Sequence, residues 1–303
     1  MVGILWKCAS ILSFTLMLTF VKLLDENIPV GQALFARNFF ALIPLMALLA
    51  WQGVSLRATL HTDNPIGHVK RAISGMTAMG LWFAALQRLT FPEATAIVYA
   101  APLIMVVLAA TILGEKVRIY RWSAVMVGFL GVFVILTPQI RQGFNVTESA
   151  ASLGAALALG AACCMAITSV FVRQLARTES TGTIVLYFLV AGAGMTLVTV
   201  PTWVMPSFED LALLVAIGVF GGIGQLMLTQ AFQSAEASLI APFEYTSMIW
   251  VVLIGYTVFG EIPAIEVLLG ASIVICSGIF VIYRERQLGL KRDERKVGAP
   301  LRP

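Results

Sequence analysis

The chain of 303 residues is 59% hydrophobic and only 12% charged, whereas soluble globular domains average roughly 45–50% apolar and about 25% charged residues. This composition excludes an ordinary soluble domain and is typical of a polytopic membrane protein. The net charge of +4 does not indicate nucleic-acid binding, because 7 of the 20 Lys and Arg residues lie between Arg284 and Arg302, as in a cytoplasmic flank beside a membrane.

Ten apolar runs follow one another along the chain, and each is close to the ~20 residues that one membrane helix requires. The first run has no small-residue cleavage signature before Asp25, so we interpret it as a helix and not as a signal peptide. Most breaks are short, which makes consecutive helices antiparallel neighbours. The sequence therefore predicts an all-α integral membrane protein with ten transmembrane helices, at residues 3–24, 31–51, 71–89, 92–113, 119–138, 152–175, 182–203, 211–233, 236–259 and 263–283.

The distribution of positive charges predicts the orientation of these helices. If the N-terminus is cytoplasmic, 16 of the 20 Lys and Arg residues fall on the cytoplasmic side, among them Arg71, and only 4 fall on the other side. Cytoplasmic loops of membrane proteins carry an excess of Lys and Arg. We therefore expect both the N- and the C-terminus in the cytoplasm.

Short motifs recur at a nearly constant distance along the chain. Gly114-Glu115 recurs 146 residues later as Gly260-Glu261, and the segment 131–135 recurs 147 residues later at 278–282. Each unit contains five predicted helices, an odd number, so the second copy must insert upside down relative to the first. The sequence predicts two inverted five-helix repeats, residues 1–140 and 150–285, followed by a basic cytoplasmic tail at 286–303, with a binding site near the bilayer midplane where the repeats meet.

The residues that usually carry catalysis are scarce inside the predicted spans. Both histidines, His61 and His68, fall in one polar loop, and all four aspartates fall in loops or the tail. The four cysteines have no metal-ligand spacing. No nucleotide-binding loop of the Walker type is present either. We expect no catalytic site, no metal and no cofactor, and transport driven by a gradient of the cargo or of protons.

Polar and aromatic residues near the centres of the spans are the candidates for a binding site, because charged groups inside the hydrocarbon are costly and therefore few. Glu244 is the deepest glutamate, and two interpretations stay open: it binds a substrate ammonium or a proton, or it is a structural ion-paired group. Lys22 and Arg37 lie near the outer ends of their helices, where they either snorkel to the interface or contact a substrate carboxylate at the outer mouth. The residues predicted to line the cavity are Trp82, Phe83, Tyr99, Gln225, Glu244, Tyr245 and Trp250.

Four further glutamates lie at helix boundaries and are interpreted as structural. Glu115 and Glu261 each follow a glycine that can end a helix, so each is expected to cap the helix that comes next. Glu93 and Glu236 open predicted helices four and nine, where a carboxylate satisfies free backbone amides.

Several motifs follow one another over about residues 3–285: the pair Lys22 and Arg37, the segment 113–116 leading to Trp122 and 128–131, the segment 241–245, and the segment 259–263 leading to 270–271 and 277–278. Their order resembles the ten-helix EamA-type branch of the drug/metabolite transporter superfamily. One departure concerns helix nine. The proline of helix four is Pro102, but the equivalent position in the second copy is Met248, so we expect helix nine to bend elsewhere.

The resemblance implies a secondary transporter of a small organic metabolite in the inner membrane of a bacterium, working by alternating access. Our first hypothesis is an exporter of an amino-acid-like cargo, with aromatic amino acids among the candidates, because aromatic residues dominate the candidate site. The alternative within the family is an importer of a cofactor-type metabolite such as riboflavin or S-adenosylmethionine. An integral-membrane enzyme is disfavoured by the scarcity of Asp and His within the spans. The expected partners are the cargo, the lipid bilayer and protons.

Overall fold

The computed structural model describes residues 2–112, 119–137, 150–234 and 241–297. Within these ranges every regular element is helical. The α-helices are α1 (Val2–Leu23), α2 (Val30–Phe40), α3 (Leu42–Trp51), α4 (Leu56–Thr59), α5 (Pro65–Leu86), α6 (Phe91–Val98), α7 (Ala100–Thr111), α8 (Ile119–Ile135), α9 (Ala150–Leu175), α10 (Thr181–Thr196), α11 (Phe208–Ser234), α12 (Ser247–Phe259) and α13 (Ile265–Val297), with 3-10 segments at Leu197–Thr202 and Ala241–Thr246.

Several of these helical stretches are long and apolar enough to cross a membrane, which is what a multi-pass membrane protein requires. Six such stretches occur in the described part of the chain: Val2–Leu23, Val30–Trp51, Phe91–Leu108, Ala150–Leu175, Thr181–Thr202 and Phe208–Ser234. Shorter apolar helices lie at Trp122–Ile135, Ser247–Phe259 and Ile265–Phe280. The last helix continues to Val297, well beyond the predicted boundary at 283, so the first part of the predicted tail is helical.

Predicted helix four is broken near its middle. It begins at Phe91 behind a capping box, in which the Thr90 hydroxyl accepts from the Glu93 amide and the Glu93 carboxylate accepts from the Thr90 amide. The expected role of Glu93 as an opening residue is therefore confirmed. The helix stops at Val98 and resumes at Ala100, because Pro102 has no N–H to donate to the carbonyl of Val98.

Predicted helix nine also changes conformation along its length, from a 3-10 segment to an α-helix. Residues 241–246 form a 3-10 segment, and regular α-helix begins at Ser247. Gly260 ends α12 with a left-handed φ of +65°, the conformation that glycine adopts at helix ends without steric cost. Glu115 and Glu236, the other predicted capping residues, lie outside the described residues.

The helices pack in a recurring pairwise pattern. The most extensive contacts join α1 to α11, α5 to α9, and α8 to α13. Gly218 and Gly222 allow α11 to approach α2 and α3 closely: a Cβ at Gly218 would lie 2.8 Å from the carbonyl oxygen of Ala36, and one at Gly222 would lie 2.6 Å from the Pro44 ring. The small-residue pair in α11 is thus a packing surface.

Hydrogen bonds between loops define two ends of the bundle. At the end that contains Lys22, the Gln32 side chain donates to the backbone carbonyl of Val204 at 2.9 Å and accepts from its amide at 3.1 Å. At the opposite end, near Lys7, the Thr62 hydroxyl donates to the Glu179 carboxylate at 2.6 Å. These are called the Lys22 end and the Lys7 end below.

Candidate substrate cavity

A cavity of about 260 Å³ lies among α1, α2, α5, α6, α7, α9, α10, α11 and the helix-nine segments. Its wall is mostly apolar, as in most small-molecule sites. Five of the seven residues predicted to line a cavity do line this one: Trp82, Phe83, Tyr99, Gln225 and Glu244.

The two remaining predicted residues do not add to the described site. Trp250 is not among the residues that line the cavity, and 38% of it is exposed on the surface of the bundle, where a tryptophan in a membrane protein contacts lipid or the interface. Tyr245 belongs to the 3-10 segment, and its side chain lies outside the described part of the structure.

Two arginines form the most polar part of the cavity wall. Arg37 and Arg71 both line the cavity, and each is only 1% exposed. The snorkelling expected for Arg37 is therefore not found, because its guanidinium points into the bundle. The Phe188 ring is close to both groups: its centroid is 5.3 Å from Cζ of Arg37 and 4.0 Å from Cζ of Arg71, within the range of a cation–π contact.

The hydrogen-bond partners of Arg37 are neutral. Its Nη1 donates to Oδ1 of Asn38 at 3.0 Å, and its Nη2 donates to Oε1 of Gln225 at 3.3 Å. Nε of Arg37, together with Nε and Nη1 of Arg71, has no hydrogen-bond partner among the described residues. Within those residues neither guanidinium forms an ion pair with a carboxylate.

Arg71 is not among the residues predicted to line the cavity, because its position near the start of a predicted span groups it with the cytoplasmic flank. Its spacing from other residues of the same helix could have identified it. Arg71, Gly75, Ala78 and Trp82 follow one another at spacings of four, three and four residues, and all four line the cavity. This spacing places them on one face of α5.

Glu244 is ion-paired in this conformation. Its carboxylate accepts from the ammonium of Lys7, which is almost fully buried, whereas 39% of the Glu244 side chain is exposed. The pair joins α1 to the 3-10 segment of helix nine, and both residues line the cavity at the Lys7 end. The interpretation of Glu244 as an ion-paired group thus has a partner in the structure, and a role in binding stays a prediction.

A second ion pair, at the Lys22 end, joins α1 to the end of predicted helix nine. Nζ of Lys22 lies 2.8 Å from Oε1 of Glu261 and donates to the Leu89 carbonyl at 3.0 Å. The other carboxylate oxygen of Glu261 accepts from the backbone N–H of Phe91 at 2.9 Å. Glu261 was expected to cap the helix that follows it. In the structure it instead caps α6, in the other half of the chain. We call Lys22, Glu261 and the Phe91 amide the Lys22 latch.

A bundle of membrane-spanning helices around a partly charged cavity of ligand size is the arrangement that a transporter requires. The EamA-like transporter family matches residues 1–137 and 152–284. The chain belongs to this family, as its motifs predicted, and it is a transporter of small metabolites.

Relatives of known function are similar over nearly the whole chain. The S-adenosylmethionine uptake transporter of Rickettsia prowazekii is 28% identical over 286 residues, which cover 94% of each chain. The riboflavin transporter of Vibrio cholerae is 28% identical over 301 residues, covering 97% of each chain. The pseudopaline exporter CntI of Pseudomonas aeruginosa is 26% identical over 282 residues, covering 91% of this chain and 94% of the exporter.

One solved crystal structure has the same fold. It superposes with a TM-score of 0.71 at 19% sequence identity, covering 94% of this chain and 98% of the other. Because the identity is low, this likeness concerns the fold alone.

Proposed function

We propose that this chain is a secondary transporter of the bacterial inner membrane that moves a small organic metabolite by alternating access between two inverted five-helix repeats. The observation that carries the proposal is the cavity, which is enclosed by helices from both halves of the chain and combines aromatic walls with buried polar groups. The bacterial relatives that transport small metabolites support the membrane and the class of cargo.

The packing pattern supports the inverted repeat. In the predicted order of ten spans, α1 is helix one and packs on helix eight (α11), and α5 is helix three and packs on helix six (α9). In a repeat of five helices, helix one corresponds to helix six and helix three to helix eight, so exchanging the two halves converts the first contact into the second. Tyr99 and Tyr245 are also 146 residues apart, and both lie where the predicted spans four and nine change conformation. Both features are expected of a pseudo-two-fold axis.

The end of the bundle toward which the cavity extends is the end from which an exporter would bind its cargo. The positive-charge count assigns the Lys7 end to the cytoplasm. The cavity extends toward that end, where Glu244 is partly exposed, whereas the latch holds α1, α6 and the end of α12 together at the Lys22 end. An exporter would bind its cargo in a conformation of this kind, and together with the aromatic wall this makes an amino-acid-like exporter our first proposal.

An importer is the second candidate, because two of the similar proteins take up S-adenosylmethionine or carry riboflavin. Reconstituted proteoliposomes distinguish the two candidates. Vesicles containing the full chain are loaded with labelled tryptophan, S-adenosylmethionine or riboflavin, and efflux and uptake are followed with imposed cargo or proton gradients. Empty vesicles are the control.

The identity of the recovered cargo tests the class of protein. Gradient-dependent movement of unmodified cargo is the expected result. Chemical conversion of a compound without net movement would contradict the proposal and favour the membrane enzyme instead.

A further inference from the structure

We infer that Arg37 and Arg71 form an anion-binding subsite, and that the cargo is an organic acid whose carboxylate, or an equivalent anionic group, lies between their guanidinium groups. This inference rests on the proposed transport function and specifies its substrate class. It follows from the burial of the two cations, from their unused hydrogen-bond donors, and from the charge balance of the cavity.

Two buried arginines with no acidic partner among the described residues favour the binding of an anionic ligand. Both guanidiniums are 1% exposed, and a charged group away from water is costly unless it is paired. The groups that contact Arg37 are amide oxygens and an aromatic ring, which solvate a cation but do not neutralise it. Two like charges beside the same Phe188 ring also repel each other, so an anion between them would relieve both costs.

The two residues that carry unused donors line a ligand-sized space. Nε of Arg37 and both Nε and Nη1 of Arg71 have no partner within the described structure, and both side chains line the cavity. A guanidinium presents its N–H groups in a planar fork that matches the two oxygens of a carboxylate. Arg71 therefore keeps free the kind of donors that bind such a group, on the face of α5 that it shares with Trp82.

The charge balance of the wall gives the same result. The described charged residues that line the cavity are Lys7, Arg37, Arg71 and Glu244. Because Lys7 and Glu244 pair with each other, two positive charges remain. A cargo without an anionic group would leave them uncompensated, whereas a compound with a carboxylate and an apolar or aromatic body fits both the cations and the aromatic wall.

Binding of defined acids and their neutral analogues tests the inference. The purified full chain in detergent is titrated with benzoate, indole-3-acetate, phenylpyruvate and succinate, and separately with benzamide, indole-3-acetamide and succinamide, while thermal stability is measured. We expect stabilisation by at least one acid and none by its amide. Arg37→Gln and Arg71→Gln should each weaken that binding by about tenfold or more, as expected for loss of a charge-assisted hydrogen bond.

Two sets of variants separate binding from folding. Arg37→Lys and Arg71→Lys keep the charge and should retain part of the affinity. Arg88→Gln makes the same chemical change at an exposed position, where the side chain only donates to the Ala84 carbonyl, and should bind like the wild type. If a glutamine variant does not fold, the corresponding lysine variant carries the comparison, since it loses the bidentate geometry and should bind more weakly than the wild type.

Two outcomes would overturn the inference: no acid stabilises the wild type, or the Arg37 and Arg71 variants bind acids as the wild type does. Flux in proteoliposomes then shows which proposal has failed. Transport of a cargo that has no anionic group, with unchanged rates in both arginine variants, leaves the transporter intact and removes the anion subsite. Absence of any gradient-dependent flux removes the proposed function itself.

Discussion

Removal of the charge of Glu261 tests whether the Lys22 latch holds one end of the cavity closed. The carboxylate pairs with Lys22 at 2.8 Å, and the two side chains are only 16% and 15% exposed. In Glu261→Gln the amide oxygen can still accept from Phe91, so the change converts charged hydrogen bonds into neutral ones. Since charged hydrogen bonds contribute roughly 1.5–3 kcal/mol and neutral ones about 0.5–1.5 kcal/mol, the closed state should lose about 1–2 kcal/mol.

A loss of that size corresponds to a factor of about 5–30 in the ratio of closed to open molecules. The reporter is Thr95→Cys, since Thr95 lines the cavity, is buried, and lies one turn after Phe91. It is introduced after replacement of the 4 native cysteines by alanine. The rate of its reaction with a membrane-impermeant maleimide, added on the Lys22 side of sealed vesicles, measures the open population.

We expect Glu261→Gln to raise this labelling rate by about the same factor of 5–30, as long as the open state is a minor population. Glu209→Gln is the matched control, because Glu209 is an exposed glutamate near the same end of the bundle, and its labelling should not change. Equal rates in Glu261→Gln and the wild type would refute the assignment of a latch. Vesicles of opposite orientation check the predicted topology in the same experiment.

Three further predictions follow from buried or closely packed residues. Burial lowers the pKa of His68, so the imidazole binds a proton more readily in the unfolded chain than in the folded one. The thermal midpoint should therefore fall as the pH drops below about 6.5. His68→Gln should remove this dependence in unfolding scans at pH 7.5 and 5.5. Gly218→Ala should cost about 1–3 kcal/mol by overpacking α11 against Phe40, whereas Gly194→Ala, with nothing within 4 Å, should leave the midpoint unchanged or higher. Glu244→Gln should abolish proton-driven flux if that carboxylate couples transport to protons, and unchanged pH dependence with unchanged affinity would leave it structural.

Local chemistry explains which parts of the fold could be predicted from the sequence. The Thr90 and Glu93 capping box involves residues three positions apart, so it is readable directly from the chain. The conformation of Gly260 is equally local. The apolar runs likewise predicted the spans that begin near residues 2, 30, 150 and 208 to within a few residues, because the length of a membrane helix is set by the thickness of the bilayer.

Long-range partners were beyond such reasoning. Glu261 was expected to cap its own neighbour, but it caps an amide 170 positions away at Phe91 and pairs with Lys22. No local pattern encodes that distance. For helix nine the sequence predicted only that it bends at a position not equivalent to Pro102, and the structure adds that it changes from 3-10 to α-helix at Ser247.

The two arginines show why a count of charges along the chain can predict an orientation and still misassign a single residue. The count treats every Lys or Arg near a helix end as a flank, and it placed Arg71 on the cytoplasmic side and Arg37 on the outer side. Both are buried in the cavity wall. Removing one from each side changes the count from 16 against 4 to 15 against 3, so the predicted orientation does not depend on either. Their positions require another explanation, and an anionic cargo that is bound on one side of the membrane and released on the other supplies it.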